Sequence, residues 1–442
     1  MKLSHLAIAI ALVGTTGTGN LTAQDFDYYS ANAGQAKTVS TSAGCDADCG
    51  CESDCGCESD CCGCPEVDCG DPCRLQDRLN PCGNCWGIEW GGWVEVGYTA
   101  NNEGYKDLHG NEPIGFNHNS TEPTANQVWF WVGREADTGG CGTDWGFRVD
   151  YVFGYDANDT QAFGGNDWDT DWVHSADNGG RTLYGSALPQ AYFEYAINDL
   201  TLKFGHFFTL IGYEVVPAPD NFFYSHAYTM IYGEPFTHTG VLASYAVNDR
   251  VNVHGGYTTG WDAADGNDND ANTFLGGFDW TSCDENTTFA YMVSAGDWGN
   301  GITLDNGNTA TAGDIYMHSL VLTRKIGCNT TYIIQSDYGA NDLGAAGTDE
   351  WYGVNQYLIY DINCCWAAGL RMEWFRDDAG VRIGNGDDDY YAVTGGLNWK
   401  PTANITVRPE ARYDWVRGGS TPYAGGVEDK LFTGAVDLIV TF

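Results

Sequence analysis

The sequence has 442 residues and carries 60 acidic against 20 basic side chains, a formal net charge of −40. Such an excess of negative charge argues against nucleic acid and anionic lipid headgroups as partners. Glycine is abundant, with 59 residues, and aromatic side chains make up 14% of the chain, whereas only 5 residues are methionine. This composition favours an all-β chain with long polar loops.

The first residues have the features of a secretory signal peptide. Lys2 supplies a positive charge, the apolar run Leu6–Val13 follows, and Leu21–Ala23 fits a cleavage site. The apolar run is too short to cross a bilayer as a helix. We therefore expect residues 1–23 to be a signal peptide and the mature chain to enter an oxidising compartment.

Residues 24–85 form the second predicted region, an acidic, cysteine-rich periplasmic segment that has too little apolar sequence to build a core. The unit CGCESD occurs twice in tandem, at Cys49–Asp54 and Cys55–Asp60. Because thiols oxidise in the periplasm, we interpret these cysteines as disulfide-forming, and zinc binding by the Cys-x-Cys pairs is the alternative. The total of 17 cysteines is odd, so at least one thiol is left over or pairs between chains.

Five further cysteines follow, two of them adjacent, and all fall in or beside short connectors between predicted strands. We expect them to lie on the same side of the protein as the cysteine-rich segment. The disulfide candidates are Cys49, Cys51, Cys55, Cys57, Cys61, Cys62, Cys64, Cys141, Cys283, Cys328, Cys364 and Cys365.

From residue 86 to residue 442 the sequence changes to runs of about ten residues in which apolar and polar side chains alternate, the pattern of β-strands. In Trp145–Phe153 the aromatic and aliphatic residues share one face and oppose Arg148 and Asp150. Sixteen such runs are predicted, give or take about two. They begin near Trp90, Val128, Trp145, Leu188, Leu200, Thr239, Val251, Phe274, Thr287, Ile315, Thr331, Trp351, Trp366, Tyr391, Ile405 and Leu431.

Long and short connectors alternate along this region. Short turns on one side and long loops on the other are the signature of an up-and-down outer-membrane β-barrel, with both ends of the barrel in the periplasm. A soluble β-sandwich would also alternate its side chains, but it has no reason to sort its connectors by length. The chain also ends in Phe442 after alternating apolar residues, which resembles the signal for insertion into the outer membrane.

Charged residues on the non-lipid face of the strands are the candidate pore-lining residues. An arginine facing lipid at the middle of the bilayer would cost about 2–4 kcal/mol, so these side chains should face water. Any water-filled barrel carries such charges, which leaves open whether they form a dedicated site. They are Arg148, Asp150, Arg371, Glu373, Arg408, Glu410, Arg412 and Asp414.

The long connector 209–237 is rich in aromatic residues and poor in charge, which suits packing inside a barrel. We expect it to fold inward and narrow a pore, with Glu214, Asp220 and Glu234 as constriction acids. The alternative is an outer loop packed on the barrel rim.

Three acidic loops, Asp167–Asp171, Asp265–Asn272 and Asp387–Asp389, could hold Ca²⁺ but do not match the calcium-loop pattern. We therefore predict no cofactor and no specific metal, with Ca²⁺ in the outer loops as the alternative. The sequence shows no nucleophile–base–acid set and no histidine–carboxylate set with metal-ligand spacing, so it predicts no enzyme.

The stretch Phe204–Tyr245 resembles the OmpL-like putative beta-barrel porin-2 family. The resemblance lies in Gly212–Glu214 (GYE), Asn221–Ser225 (NFFYS) and Pro235–Gly240 (PFTHTG), and it extends over the barrel but not over the cysteine-rich segment. It implies an outer-membrane pore for small solutes and no catalytic residues.

Together these patterns predict an all-β outer-membrane barrel that lets small hydrophilic solutes diffuse passively, with a mild preference for cations. The expected partners are outer-membrane lipid, small solutes or cations, and either further copies of the chain or a disulfide-linked envelope protein. One alternative is a structural protein cross-linked to the cell envelope through its cysteine-rich segment. A metal-storage or metal-uptake role, resting on the cysteines alone, is a third.

Overall fold

The computed structural model describes residues 75–76, 86–107, 109–162, 169–175, 181–264, 271–298, 313–344, 347–378 and 380–442. The predicted signal peptide and nearly all of the cysteine-rich segment lie outside these residues. What is described is almost entirely β-structure, together with the connectors that join the strands.

Within the described residues seventeen strands follow one another, and fifteen of them begin within four residues of a predicted start. The fifth strand begins seven residues before its predicted start, and the fourth was not predicted. The seventeen strands are β1 (Glu89–Asn101), β2 (Thr124–Arg134), β3 (Thr143–Gly154), β4 (Thr170–Ser175), β5 (Arg181–Ile197), β6 (Leu200–Phe208), β7 (Thr237–Asn248), β8 (Val251–Thr258), β9 (Asn272–Thr281), β10 (Thr287–Asp297), β11 (Asp314–Ile326), β12 (Thr330–Asp342), β13 (Thr348–Asn363), β14 (Trp366–Asp377), β15 (Asp388–Thr402), β16 (Ile405–Arg417) and β17 (Lys430–Thr441).

Sixteen of these strands close into a barrel in which every neighbouring pair is antiparallel. The last strand returns to the first, with Trp93 opposite Thr441 and Asn101 opposite Thr433. Strand β3 pairs directly with β5, so the short β4 is not part of the ring and pairs only along the beginning of β5. The predicted fold class, an up-and-down barrel of about sixteen strands, is confirmed.

The barrel is inverted relative to a water-soluble protein, because apolar side chains point outward and polar ones inward. On β3, Trp145, Val149 and Tyr151 are 38–40% exposed, whereas Arg148 and Asp150 between them are fully buried. The same alternation recurs on the other strands, for example in the exposed Val436, Leu438 and Val440 of β17. An outward apolar band of this kind faces lipid, and an inward polar surface faces the lumen.

The connectors differ in length from one end of the barrel to the other. Those at the end that holds the start of β1 and the end of β17 run from two to eight residues, whereas those at the opposite end reach 28 residues, in 209–236. All five cysteines that follow residue 85 lie in the short connectors. They are Cys141, Cys283, Cys328, Cys364 and Cys365.

A four-residue α-helix, α1 (Ala157–Thr160), lies in the connector after β3. Within the part of the chain that the structure describes, no helix has the length and apolar character needed to cross a membrane.

Candidate functional site

The connector between β6 and β7, residues 209–236, folds into the barrel and is called the inward segment below. It contains a 3₁₀ turn at Ala218–Asp220 and a π-helical turn at Thr229–Gly233. Lumen-facing side chains reach it from distant parts of the wall. Gln127 of β2 donates to the Val216 carbonyl oxygen at 2.8 Å, and Trp351 of β13 donates to the Gly233 carbonyl oxygen at 3.0 Å. The inward segment therefore crosses the lumen.

Three arginines of β14 and β16 hold the inward segment by its carbonyl oxygens. The Arg408 guanidinium donates to the carbonyl oxygens of Ala218 and Asn221, both at 2.8 Å. Arg371 donates to the Ser225 carbonyl oxygen at 2.5 Å, and Arg412 donates to the His226 carbonyl oxygen at 2.6 Å. The hydrogen bonds satisfy backbone acceptors that would otherwise be buried without partners.

Carboxylates between these arginines accept from the N–H groups of the same stretch. Glu410 accepts from the Tyr224 N–H at 3.0 Å and Glu373 from the Tyr228 N–H at 2.9 Å, while Asp414 accepts from the Tyr228 hydroxyl at 2.8 Å. These acids also pair with the arginines, as in Arg371–Glu373 at 2.7 Å and Arg412–Asp414 at 2.9 Å. We call this set the clamp, formed by Arg371, Glu373, Arg408, Glu410, Arg412 and Asp414.

The clamp comprises six of the eight residues predicted to line a pore, and each is at most 8% exposed. The structure thus places them on the lumen face, where they contact the inward segment. The other two, Arg148 and Asp150, form an ion pair on β3. Asp150 accepts from the Trp129 indole N–H at 2.9 Å, and the Arg148 guanidinium lies 4.0 Å from the centre of the Trp131 ring.

Of the predicted constriction acids, Glu214 is bound most tightly. It accepts from Arg371 at 2.8 Å, from the Ala227 N–H at 2.8 Å and from the Tyr357 hydroxyl at 3.0 Å. Burial would raise the pKa of Glu214, but the Arg371 charge and the contact with His226 outweigh it and lower the pKa to about 2. Glu214 is therefore an ionised part of the packing between the inward segment and the wall.

Glu234 is held differently, by a neutral amide and beside a second carboxyl group. It is buried, accepts from the Gln335 amide and lies beside the Asp337 carboxylate of β12. Burial, and then the charge of Asp337, raise the pKa of Glu234 well above its ordinary value. Asp220, the third predicted acid, is half-buried at the end of the 3₁₀ turn.

Another part of the barrel wall contributes mostly apolar side chains to the lumen. Strands β7 and β9–β12 present a set of buried hydrophobic side chains, here called the apolar wall, that packs in one cluster with Phe207, Leu210, Ile211 and Tyr228. The apolar wall consists of Leu242, Leu275, Ala290, Met292, Ile315, Met317, Val321 and Ile333.

The acidic loops have mostly other roles or lie outside the described residues. Arg376 pairs with Asp387, and with Asp378 and Asp389 at 2.6 and 3.3 Å, so an arginine offsets part of the negative charge of the Asp387–Asp389 loop. Most of Asp265–Asn272 and part of Asp167–Asp171 fall outside the described residues, which leaves calcium binding there a prediction.

The structure assembles two polar sets that the sequence did not indicate. His109, Glu112 and His118 of the first long loop place their ligand atoms within 4.8 Å of one another. In the lumen, the Ser244 hydroxyl lies 2.8 Å from His254 Nδ1, and His254 Nε2 lies 2.8 Å from Asp279. Strand register makes Ser244 and His254 direct cross-strand neighbours, so ordinary sheet pairing accounts for this contact. The residues of each set are spaced irregularly along the sequence, so no motif indicates either set.

Comparison with known proteins now identifies the barrel. The sequence family described as putative beta-barrel porin-2, OmpL-like, matches residues 87–442. The chain belongs to this family. It is therefore an outer-membrane porin of the OmpL-like type, as the resemblance of Phe204–Tyr245 predicted. None of the proteins with curated descriptions matches the chain.

Solved structures share the fold of this OmpL-like porin at low sequence identity. The anion-selective porin from Comamonas acidovorans is 11% identical with a TM-score of 0.52, and the alignment covers 80% of this chain and 99% of that one. The outer membrane channel DcaP of Acinetobacter baumannii is 10% identical with a TM-score of 0.52, over 81% and 99% of the two chains. OmpT of Vibrio cholerae, described as an outer membrane protein, is 10% identical with a TM-score of 0.51, over 80% and 97%.

Proposed function

We propose that this porin passes small hydrophilic solutes passively and that the inward segment sets the width of its pore. The observation that carries the proposal is the clamp, which fixes the backbone of residues 218–228 across the lumen through both its carbonyl and its N–H groups. A segment anchored in this way narrows the pore permanently and does not act as a gate. Size exclusion by a rigid constriction would then select the solutes.

A mild cation preference follows from the charges around the inward segment. Three arginines there face five carboxylates, so the acids are in excess. The five are Glu214, Glu373, Glu410, Asp414 and Asp437. Fixed negative charge beside a water path raises the local concentration of cations. One structural neighbour is described as anion-selective, so selectivity has to be measured on this chain.

Planar-bilayer recording under a KCl gradient tests both parts of the proposal. Purified protein should form discrete, ohmic channels, with a reversal potential on the cation side. Asp220→Asn, a half-buried acid of the inward segment outside the clamp, should shift the reversal potential toward zero, and Glu103→Gln, an exposed acid in the first long loop, is the control. A lack of channels would contradict the porin proposal, and anion selectivity would contradict the cation preference alone.

A second proposed role is attachment to the cell envelope through residues 24–85, which we place in the periplasm. It is favoured by the five cysteines that gather in the short connectors, at the barrel end where β1 begins. At one of them the Arg250 guanidinium donates to the Cys283 sulfur at 2.7 Å. Non-reducing gels of membranes should show higher-mass species that reductant removes, and unchanged monomeric migration would contradict this role.

A further inference from the structure

The first long loop, residues 102–123, brings together two imidazoles and a carboxylate near the outer mouth of the barrel. The Nδ1 atom of His109 contacts Glu112 Oε1, and His118 Nδ1 lies 3.9 Å from the same oxygen. The two imidazole rings are 5.4 Å apart and almost perpendicular, which lets both nitrogens face one point. All three ligand atoms lie within 4.8 Å of one another.

A second carboxylate orients His118 from behind. His118 Nε2 lies 3.1 Å from Asp159 Oδ2, an atom that also accepts from the Phe116 N–H at 2.9 Å. With the Nε2 proton donated to Asp159, the lone pair of Nδ1 points into the cluster. That Nδ1 atom is buried and has no hydrogen-bond partner in the described part of the chain. A metal-ligating histidine whose other nitrogen donates to a carboxylate is the usual arrangement in metal sites.

We propose that His109, Glu112 and His118 form a site for a first-row transition-metal dication of the zinc class, with Asp159 as the residue that orients His118. Two imidazole nitrogens and one carboxylate oxygen are the ligands that such ions accept, whereas Ca²⁺ and Mg²⁺ prefer oxygen alone. The Glu112 side chain is 47% exposed, so solvent reaches the cluster and water can complete the coordination.

The site lies directly on the inward segment. The Phe116 ring packs against His226 with ring centroids 4.6 Å apart, and the Tyr232 hydroxyl donates to the Pro113 carbonyl oxygen at 2.8 Å. An ion bound by residues on both sides of Pro113 would tie the ends of this turn together. The metal would thus fasten the loop where it contacts the constriction.

Zn²⁺ binding to the full-length protein, purified in detergent and alkylated at accessible thiols, tests the proposal. Any Zn²⁺ bound by cysteines that escape alkylation is common to all variants and cancels in the comparison. Wild type should bind one more equivalent of Zn²⁺ than His109→Ala, and Asp159→Asn should weaken that equivalent 10–100-fold. Glu122→Gln, an exposed acid in the same loop, should bind like wild type.

Co²⁺ titration gives a second readout that separates nitrogen and oxygen ligands from thiolates. The wild-type minus His109→Ala difference spectrum should show the d–d bands of a four- or five-coordinate ion without sulfur charge-transfer bands. Heat-modifiable migration on gels verifies that each variant keeps a folded barrel. Equal Zn²⁺ equivalents in folded wild type and folded His109→Ala would overturn the proposal, as would sulfur bands in the difference spectrum.

Discussion

Two parts of the barrel wall hold the inward segment by different physical interactions. On β14 and β16 the clamp forms ion pairs and hydrogen bonds to particular backbone atoms of residues 218–228. On β7 and β9–β12 the apolar wall contacts the inward segment mainly through hydrophobic side chains, and Gln335 of β12 adds hydrogen bonds to Tyr213 and Glu234. Hydrogen bonds and ion pairs are directional, whereas hydrophobic contact depends on area.

The contrast shows how a porin fixes a long loop inside its own channel. The clamp sets where each residue of the inward segment sits, and the apolar wall fills the remaining space. Because the charges of the clamp are buried, each depends on its ion-pair and hydrogen-bond partners for stabilisation. Loss of one charged side chain therefore leaves the others buried without a partner. We therefore expect damage to the clamp to be more severe than damage to the apolar wall.

The largest effect should come from Arg412→Met. This change leaves Asp414 without its 2.9 Å partner and the His226 carbonyl oxygen without its donor. Breaking a buried pair of this kind costs about 3–5 kcal/mol. Chemical unfolding in lipid vesicles should show the loss, and single-channel traces should become noisier. Arg417→Met, at the exposed end of the same strand, is the control, and an equal loss in both variants would contradict the clamp.

Met317→Ala, in the apolar wall, should have the next largest effect. Met317 is fully buried, and its truncation leaves a cavity that costs about 2–4 kcal/mol. The same unfolding measurement should detect the loss while the channel traces stay quiet, because the clamp is intact. Leu370→Ala, whose side chain faces lipid and is 38% exposed, should cost less because lipid fills the gap. A noisier channel in Met317→Ala would remove the distinction between the two walls.

A smaller effect should appear with pH through Glu234. Its pKa is raised by burial and by Asp337 of β12, while Glu214 adds further negative charge and Gln335 is neutral. Because the folded pKa lies above the ordinary value of 4.5, the contribution of Glu234 to stability is complete below 4.5 and is lost as the pH rises through the raised pKa. The thermal unfolding temperature of wild type should therefore fall as the pH rises through this range.

Glu234→Gln removes this ionisation and should make the unfolding temperature less dependent on pH above 4.5. Glu122→Gln, in the exposed outer loop, should leave the profile as it is in wild type. If Glu234→Gln and wild type lose stability in parallel as the pH rises, then Glu234 is not the responsible group.

The smallest effect should come from Tyr232→Phe, which deletes only the hydrogen bond from the tyrosine hydroxyl to the Pro113 carbonyl oxygen. The loss should be about 1 kcal/mol. Differential protease digestion of the first long loop is a sensitive measure, with faster cleavage expected in the variant. Tyr105→Phe, at an exposed tyrosine in that loop, is the control. Identical digestion rates of the two variants would show that the Tyr232–Pro113 hydrogen bond does not stabilise the loop.

The barrel itself was readable from the sequence because its signal is local. Alternation such as that of Trp145–Phe153 reports which side of a strand faces lipid, and connector length reports the end of the barrel. The inward position of residues 209–236 was also predictable, since so aromatic a loop needs somewhere to pack. These properties do not depend on which strands meet across the lumen.

The contacts of the clamp were not readable in the same way. Arg408 binds Ala218, which is 190 residues away, and Arg371 binds Glu214 at a separation of 157 residues. The sequence predicts Glu214 as a constriction acid without a partner, whereas in the folded protein Glu214 forms an ion pair with Arg371. The cluster of His109, Glu112 and His118 depends likewise on Asp159 from another loop. Such sets exist only once the barrel has closed.

Single-channel conductance of wild type and of a variant lacking residues 217–232 tests the central claim most directly. The deletion removes most of the inward segment and leaves the strands and short connectors intact. If the clamped segment narrows a passive pore, wild type will show a small, steady conductance and the deletion variant a several-fold larger one. An unchanged conductance in a folded deletion variant would contradict the account.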